Sequence, residues 1–172
     1  MTIRTFAAAA FGACVLASTP IPVVATGAAI TMPMFAPVEA GQLEVSAAFA
    51  RATLPGAPTG GAYITITNKG SSPDTLLSVR SPAAGMVALH TMSMAGSVMK
   101  MSDLPHGIDI APGATVTMTP DGLHMMFEHL TRPFVEGKTV VVTLTFAKAG
   151  SVDVDIPVLG IAATAPMSGM GM

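Results

Sequence analysis

Residues 62–70 read Ala62-Tyr63-Ile64-Thr65-Ile66-Thr67-Asn68-Lys69-Gly70. Aliphatic side chains alternate with tyrosine or threonine over the first six positions, and Asn-Lys-Gly then supplies a turn. Such period-two alternation is typical of a β-strand with one face in a core. The same pattern recurs in two other runs, at Leu43, Val45, Ala47 and Phe49 and at Val140, Val142, Leu144 and Phe146.

Turn signals separate these runs, as at Pro55-Gly56-Ala57-Pro58 and Pro120-Asp121-Gly122. No segment carries a sustained helical stripe with caps. About nine short strands at regular spacing are typical of antiparallel sandwiches. The pattern therefore predicts an all-β fold, an antiparallel Greek-key β-sandwich.

The N-terminus resembles a secretory signal, because an apolar run at 6–16 precedes small residues at 24–28. We expect cleavage of residues 1–27, a flexible lead-in at 28–42, a β-sandwich domain at 43–159 and a disordered, Met-containing tail at 160–172. The alternatives are an uncleaved anchor and a lipoprotein modified at Cys14. Since Cys14 is the only cysteine, the mature protein would have no disulfide, thiolate zinc site or cysteine nucleophile. It would also have no transmembrane segment.

Charge excludes another class of function. The 172 residues carry 8 Lys+Arg and 10 Asp+Glu, for a formal net charge of −2. This balance provides no electrostatic attraction for nucleic acid or an anionic membrane. We expect a monomer that binds neither.

Methionine and histidine dominate one stretch. The chain has 14 methionines, and residues 86–129 contain eight of them together with all four histidines. A two-residue turn at Ala95-Gly96 would pair Met94 with Ser97, Met92 with Met99 and His90 with Met101. This predicted hairpin places one set of side chains on a single face: His90, Met92, Met94, Met99 and Met101.

A second strand offers the same donor types, because His124 and Met126 are two residues apart and share a face. Two strands that each provide histidine and methionine would form an N₂S₂ site. Thioether sulfur is soft and neutral, so this site favours Cu(I) over Zn²⁺, Mg²⁺ or Ca²⁺. A blue-copper centre would need a cysteine thiolate. A hydrolase is also disfavoured, because the sequence contains no nucleophile elbow and no paired carboxylates near a histidine.

The stretch resembles the PCu(A)C family of bacterial periplasmic copper chaperones. The family signature is His, ten residues, Met, twenty-one residues, His-x-Met. His90, Met101, His124 and Met126 match it in order and type. Residues 49–63 and 68–70 are also similar to the family, so that the resemblance covers about 43–158. One departure is the spacing of 22 residues between Met101 and His124.

The resemblance implies a cupredoxin-like sandwich in the periplasm that is not an enzyme. Cu(I), with Cu(II) only transient, would be bound by His90, Met101, His124 and Met126. The acceptor would be subunit II of cytochrome c oxidase, for its dinuclear copper centre, or another copper chaperone. Six methionines are candidate auxiliary ligands: Met92, Met94, Met99, Met167, Met170 and Met172.

Two alternatives remain: a metal-free Met-rich interaction module and a copper redox enzyme, which would need more imidazole ligands. For the other candidate residues we expect structural or solvent-exposed roles. Met86, Met118 and Met125 are predicted to fill the core, Arg51 and Tyr63 to pack or anchor loops, His106 to be exposed and His129 to lie off the ligand face.

Overall fold

A computed structural model describes residues 36–166 of the chain. This range contains eleven strands and no helix, and so no helix that could cross a membrane. The strands are β1 (Val38–Ala40), β2 (Leu43–Arg51), β3 (Thr59–Asn68), β4 (Asp74–Arg80), β5 (Ala84–Ala95), β6 (Val98–Asp103), β7 (Ile108–Ile110), β8 (Thr115–Thr117), β9 (His124–Leu130), β10 (Thr139–Phe146) and β11 (Gly150–Leu159).

The strands follow one hydrogen-bonded path in the order β6-β5-β9-β3-β2-β11-β10-β4-β7, with β1 added to β2 and β8 added to β3. β4 also contacts β5, although the two strands are far apart on this path, so the sheet closes over a core. The all-β prediction is confirmed. The pairing differs from a purely antiparallel one at β2 and β11, which run parallel where Val158 pairs with Ala50.

The core forms where the alternating runs face each other. Val45 pairs with Ile66 between β2 and β3, and neither side chain is exposed to solvent. Val142 pairs with Val154 between β10 and β11, and both are equally buried. Each side chain of this size contributes about 1.5–3 kcal/mol when fully buried, so the period-two pattern accounts for the fold.

A β-bulge in β2 changes the sheet face on which the following residues lie, although Phe49 stays buried at 2% exposed. Ala47 has a φ of +50°, and the register between β2 and β3 shifts between Ser46 and Phe49. An extra residue reverses the alternation beyond it. The prediction that Phe49 continues the Val45 face is therefore wrong. Phe49 instead pairs with Tyr63, with ring centroids 4.8 Å apart, on the opposite sheet face, which we call the outer face.

The described residues include structure on both sides of the predicted domain. β1 lies inside the stretch expected to be a flexible lead-in, and it pairs with β2. At the other end, Arg51 donates a hydrogen bond from Nε to the carbonyl oxygen of Ala163 at 2.6 Å, within the stretch expected to be a disordered tail. The proposed signal at 1–27 and the tail methionines Met167, Met170 and Met172 lie outside the described residues.

Two buried polar side chains join the turns at one end of the sandwich. The Asn68 amide donates hydrogen bonds to the carbonyl oxygens of Ser72 and Ile110 at 2.8 and 3.1 Å. The Asp74 carboxylate, 7% exposed, accepts hydrogen bonds from the backbone N–H groups of Thr75, Lys148 and Ala149 at 2.7, 2.9 and 2.9 Å. Burial by itself would raise the pKa of Asp74, but these donors outweigh burial and hold the pKa below its ordinary value of 3.8.

Replacing Asp74 with Asn is expected to lower the free energy of unfolding at pH 7 by about 1–3 kcal/mol, because an amide N–H₂ would then face the Ala149 N–H. A carboxyl group with a lowered folded-state pKa stabilises the fold above its unfolded-state pKa. That contribution is lost as the pH falls through the folded-state pKa. The wild type should therefore lose more stability than Asp74→Asn between pH 7 and pH 3, in urea unfolding.

The exposed Asp155→Asn is the charge-matched control, since its side chain lies on the solvent side of β11. Equal losses in the wild type and Asp74→Asn would contradict the assigned role of Asp74.

Candidate metal centre

The centre of the candidate site is a pair of histidines on adjacent strands. β5 pairs with β9 so that His90 lies directly opposite His124. Their rings are nearly perpendicular, at 85°, with centroids 5.6 Å apart. Both side chains are buried, at 5% and 6% exposed. Buried imidazoles need partners for their nitrogen atoms, and these partners define the chemistry of the site.

The hairpin that carries His90 has a different turn from the predicted one. β5 ends at Ala95 and β6 begins at Val98, which leaves Gly96 and Ser97 as the turn. Gly96 has a φ of +66°, and a glycine at the first central position suits a type II′ hairpin turn. The predicted turn at Ala95-Gly96 would have put alanine at this position.

The pairs across the hairpin shift accordingly. Met94 lies opposite Met99, Met92 opposite Met101, and His90 opposite Asp103. The three predicted pairs are therefore wrong. Each partner moves by two residues, which preserves side-chain parity, so the prediction that these histidine and methionine side chains share one face is correct.

Met101 contacts His90 although the two are not directly opposed. Its Sδ lies 3.3 Å from His90 Nδ1. On the far side of the ring, His90 Nε2 lies 2.8 Å from Asp103 Oδ1. A carboxylate only accepts hydrogen bonds, so in the neutral imidazole the proton belongs on Nε2. Nδ1 then presents a lone pair to a sulfur atom that also carries lone pairs.

This contact has the geometry of two ligands for one soft cation. With metal–nitrogen and metal–sulfur bonds of about 2.0 and 2.3 Å, as in zinc sites, tetrahedrally arranged ligand atoms lie about 3.5 Å apart. The observed 3.3 Å is close to that separation. Nδ1 and Sδ are also both uncharged metal ligands, each with a lone pair to share, and such ligands suit Cu(I).

The second histidine is oriented by the backbone. His124 Nδ1 lies 3.0 Å from the carbonyl oxygen of Gly122, so Nδ1 carries the proton and Nε2 presents the lone pair. The same carbonyl accepts a hydrogen bond from the Met92 N–H at 3.1 Å. One backbone oxygen thus connects the hairpin to the start of β9 and orients the imidazole.

Met126 lies on the face of His124, two residues further along β9. It pairs with Ala88 on one side and Gly61 on the other. Both neighbours are small, which leaves space for a long side chain. His124 and Met126 thus share the face of His90 and Met101, so the longer spacing between Met101 and His124 does not move any of the four candidates to the core face.

Several other predictions about single residues can be checked. Met118 and Met125 are core residues, as predicted. Met86 is not: it lies on the outer face of β5 and is 52% exposed. His106 and His129 are exposed. The packing role of Arg51 and Tyr63 is confirmed, because the guanidinium carbon lies 5.8 Å from the ring centroid.

The sequence reasoning missed two contributors, Asp103 and the carbonyl group of Gly122. Asp103 lies two residues after Met101, and so on the same strand face, but the misplaced turn gave His90 the partner Met101 and left Asp103 two residues further along. A backbone carbonyl leaves no signature in side-chain composition. Within residues 36–166, no three His, Cys, Asp or Glu side chains gather into a potential metal site.

The chain is similar to a family of known proteins and to several solved structures. The model of the LpqE-like family, described as "Putative lipoprotein LpqE-like", matches residues 43–158. A similar curated protein is "Putative lipoprotein Lxx21020" of Leifsonia xyli subsp. xyli, which is 29% identical over 136 residues, covering 77% of this chain and 81% of the relative.

Solved structures are similar over most of the described domain. The copper-bound PCuAC domain from PmoF2 is 26% identical, with a TM-score of 0.62 over 73% of this chain and 98% of that domain. The Cu(I) form of DR1885 from Deinococcus radiodurans is 28% identical, with a TM-score of 0.54 over 80% of this chain and 86% of that protein. These similarities confirm the expected cupredoxin-like class of fold.

The two histidines are expected to have opposite tautomers in the metal-free protein. His90 should carry its proton on Nε2, next to Asp103, and His124 should carry its proton on Nδ1, next to Gly122 O. Imidazole ¹⁵N chemical shifts, measured at a pH where both rings are neutral, distinguish the two forms. The exposed His106 is the internal control. An Nε2-protonated His124 would contradict the orientation described here.

Proposed function

Because this chain belongs to the LpqE-like, PCu(A)C family, we propose that it is a copper chaperone, which binds one Cu(I) ion through His90, Met101, His124 and Met126. The ligand atoms would be Nδ1 of His90, Nε2 of His124 and the two thioether sulfurs. The observation that carries this proposal is the 3.3 Å approach of His90 Nδ1 to Met101 Sδ, with Asp103 bonded to the other ring nitrogen.

The donor set supports copper in its reduced state. Two imidazoles and two thioethers are neutral in their ligating forms, and thioethers do not need to lose a proton before they bind. Cu(II), which favours more nitrogen and oxygen ligands, would be bound only transiently. A copper redox enzyme would need an open site with such ligands, so the donor set favours transport over turnover.

The burial of the ligands is uneven, and this suits a protein that releases its ion. His90 and His124 are 5% and 6% exposed, whereas Met101 is 47% exposed. The buried imidazoles would retain the ion, since their rings are fixed by Asp103 and Gly122. The exposed thioether could be exchanged for a ligand of the acceptor without opening the sandwich. Transfer through shared ligands requires one accessible position of this kind.

We further propose that the protein acts outside the cytoplasm, in the periplasm, after export by the segment at 1–27. The family and the curated relative are both described as lipoproteins, which supports the alternative of lipid attachment at Cys14. Either route would export the domain. The proposed acceptor is subunit II of cytochrome c oxidase, at its dinuclear copper centre, or another copper chaperone.

One observation favours a second function, a metal-free docking module. Exposed apolar side chains cluster at the end of the hairpin, where Met94, Val98 and Met99 are 64%, 65% and 52% exposed. Exposed patches of this kind often mark interaction surfaces. This alternative predicts partner binding that is the same with and without copper.

Replacing Met101 with Leu or His124 with Asn is expected to weaken Cu(I) binding at least about 100-fold, because loss of a ligand should exceed the 10–100-fold effect typical of outer-shell changes. Anaerobic competition against a chromogenic Cu(I) chelator measures the affinity. Leucine conserves the volume of methionine, so Met101→Leu should unfold at nearly the wild-type temperature.

Two controls lie on the same strand as His124 but outside the proposed site. Met125→Leu removes a thioether from the core face of β9, and His129→Asn removes an exposed imidazole. Neither should change the affinity more than about twofold. The copper proposal would be overturned by a wild-type protein that fails to compete, or by controls that weaken binding as much as Met101→Leu.

A further inference from the structure

The hairpin formed by β5 and β6 extends beyond the part of β5 that pairs with β9. That pairing ends where His90 lies opposite His124. From Thr91 to the turn, the one described strand that pairs with β5 is β6. Two-stranded ribbons have little stability of their own in water. Because this part of the hairpin extends beyond β9, core packing does not explain which side chains it carries.

The two faces of this ribbon differ in chemistry. One face carries two polar pairs, Thr91 with Ser102 and Ser93 with Lys100, and then Ala95 opposite Val98 next to the turn. The other face carries Met92 opposite Met101, and then Met94 opposite Met99 closer to the turn. All four positions on this second face are therefore methionine. Met94, Met99 and Met101 are 64%, 52% and 47% exposed.

Hydrophobicity does not explain why every one of these positions is methionine. β-Branched and aromatic residues are the ones enriched in strands, and the residues that contribute most to docking surfaces are tryptophan, tyrosine and arginine, although methionine is also common on binding surfaces. Neither group occurs among the four positions. What the four side chains share is a thioether sulfur, which is a ligand for soft metal ions.

We infer that Met92, Met94 and Met99 form a second, weaker Cu(I) site near the tip of the hairpin. The inference rests on the proposed function, since Met101 is taken to belong to the His90 site. Met94 and Met99 are directly opposed, and Cβ atoms in such pairs lie about 4.5–5.5 Å apart. Both flexible side chains can therefore reach one ion. Met92 is the next residue along the same face.

Successive pairs on one face are about 7 Å apart along a strand, so the second site would be one step from Met101. An ion could move inward by exchanging one thioether for another and then binding the imidazoles. Copper remains Cu(I) throughout, and no proton or electron is transferred. The site at the tip would bind the ion more weakly because it has no imidazole ligand.

The test is an anaerobic Cu(I) titration of the full chain, labelled with ¹³C at the methionine methyl groups and followed by NMR. Cu(I) is supplied as its acetonitrile complex. Met167, Met170 and Met172 are replaced by Leu and Cys14 by Ser in every sample, which removes the tail thioethers and the thiol. The first equivalent should shift the methyl signals of Met101 and Met126, and the second should shift those of Met94 and Met99.

The double variant Met94→Leu/Met99→Leu should keep the first equivalent and lose the second. Met86→Leu, an exposed thioether at the other end of the same face of β5, should lose neither. If the protein binds no second equivalent of Cu(I), or if that equivalent shifts other methyl signals, the hairpin site is overturned and the first site is unaffected. Absence of the Met101 and Met126 shifts with the first equivalent would instead overturn the proposed function. The methyl shifts of the parent protein decide the question even if the double variant does not fold.

Discussion

The pairing of β5 with β9 places His90 opposite His124, and the candidate site depends on this register. A shift of one residue would turn one imidazole toward the core and separate the two rings. The same pairing directs Met126 to the shared face and leaves Met125 and Phe127 in the core, where neither is exposed to solvent. Core packing on one side of β9 therefore keeps the candidate ligands in place on the other.

The two polar groups that orient the imidazoles are a backbone carbonyl and a carboxylate at the end of a strand. Gly122 O accepts hydrogen bonds from His124 Nδ1 and Met92 N–H, and Asp103 contacts His90 from the last position of β6. Their effect is to leave one lone pair of each neutral imidazole available. Because the other candidate ligands are thioethers, the site is selective through softness and geometry, with no need for a charged ligand.

The alternating runs at 43–49, 62–67 and 140–146 were sufficient to predict an all-β fold, because period two follows directly from strand geometry. The same reasoning failed at Phe49, where the bulge at Ala47 reverses the alternation, and at the hairpin, where glycine geometry decides between two adjacent turns. The four proposed ligands were identified by histidine and methionine spacing. Asp103 was missed because its position depends on that turn, and Gly122 because its contribution is a carbonyl oxygen. Met86 was wrongly assigned to the core because hydrophobicity does not say which face of a strand is covered.

X-ray absorption spectroscopy of the protein loaded with one equivalent of copper tests the central claim most directly. We predict the edge of Cu(I) and a first shell that contains both nitrogen and sulfur scatterers, from two imidazoles and two thioethers. A shell of sulfur alone would place the ion on the methionines of the hairpin or the tail. A shell of nitrogen and oxygen alone would contradict the proposal that Met101 and Met126 are ligands.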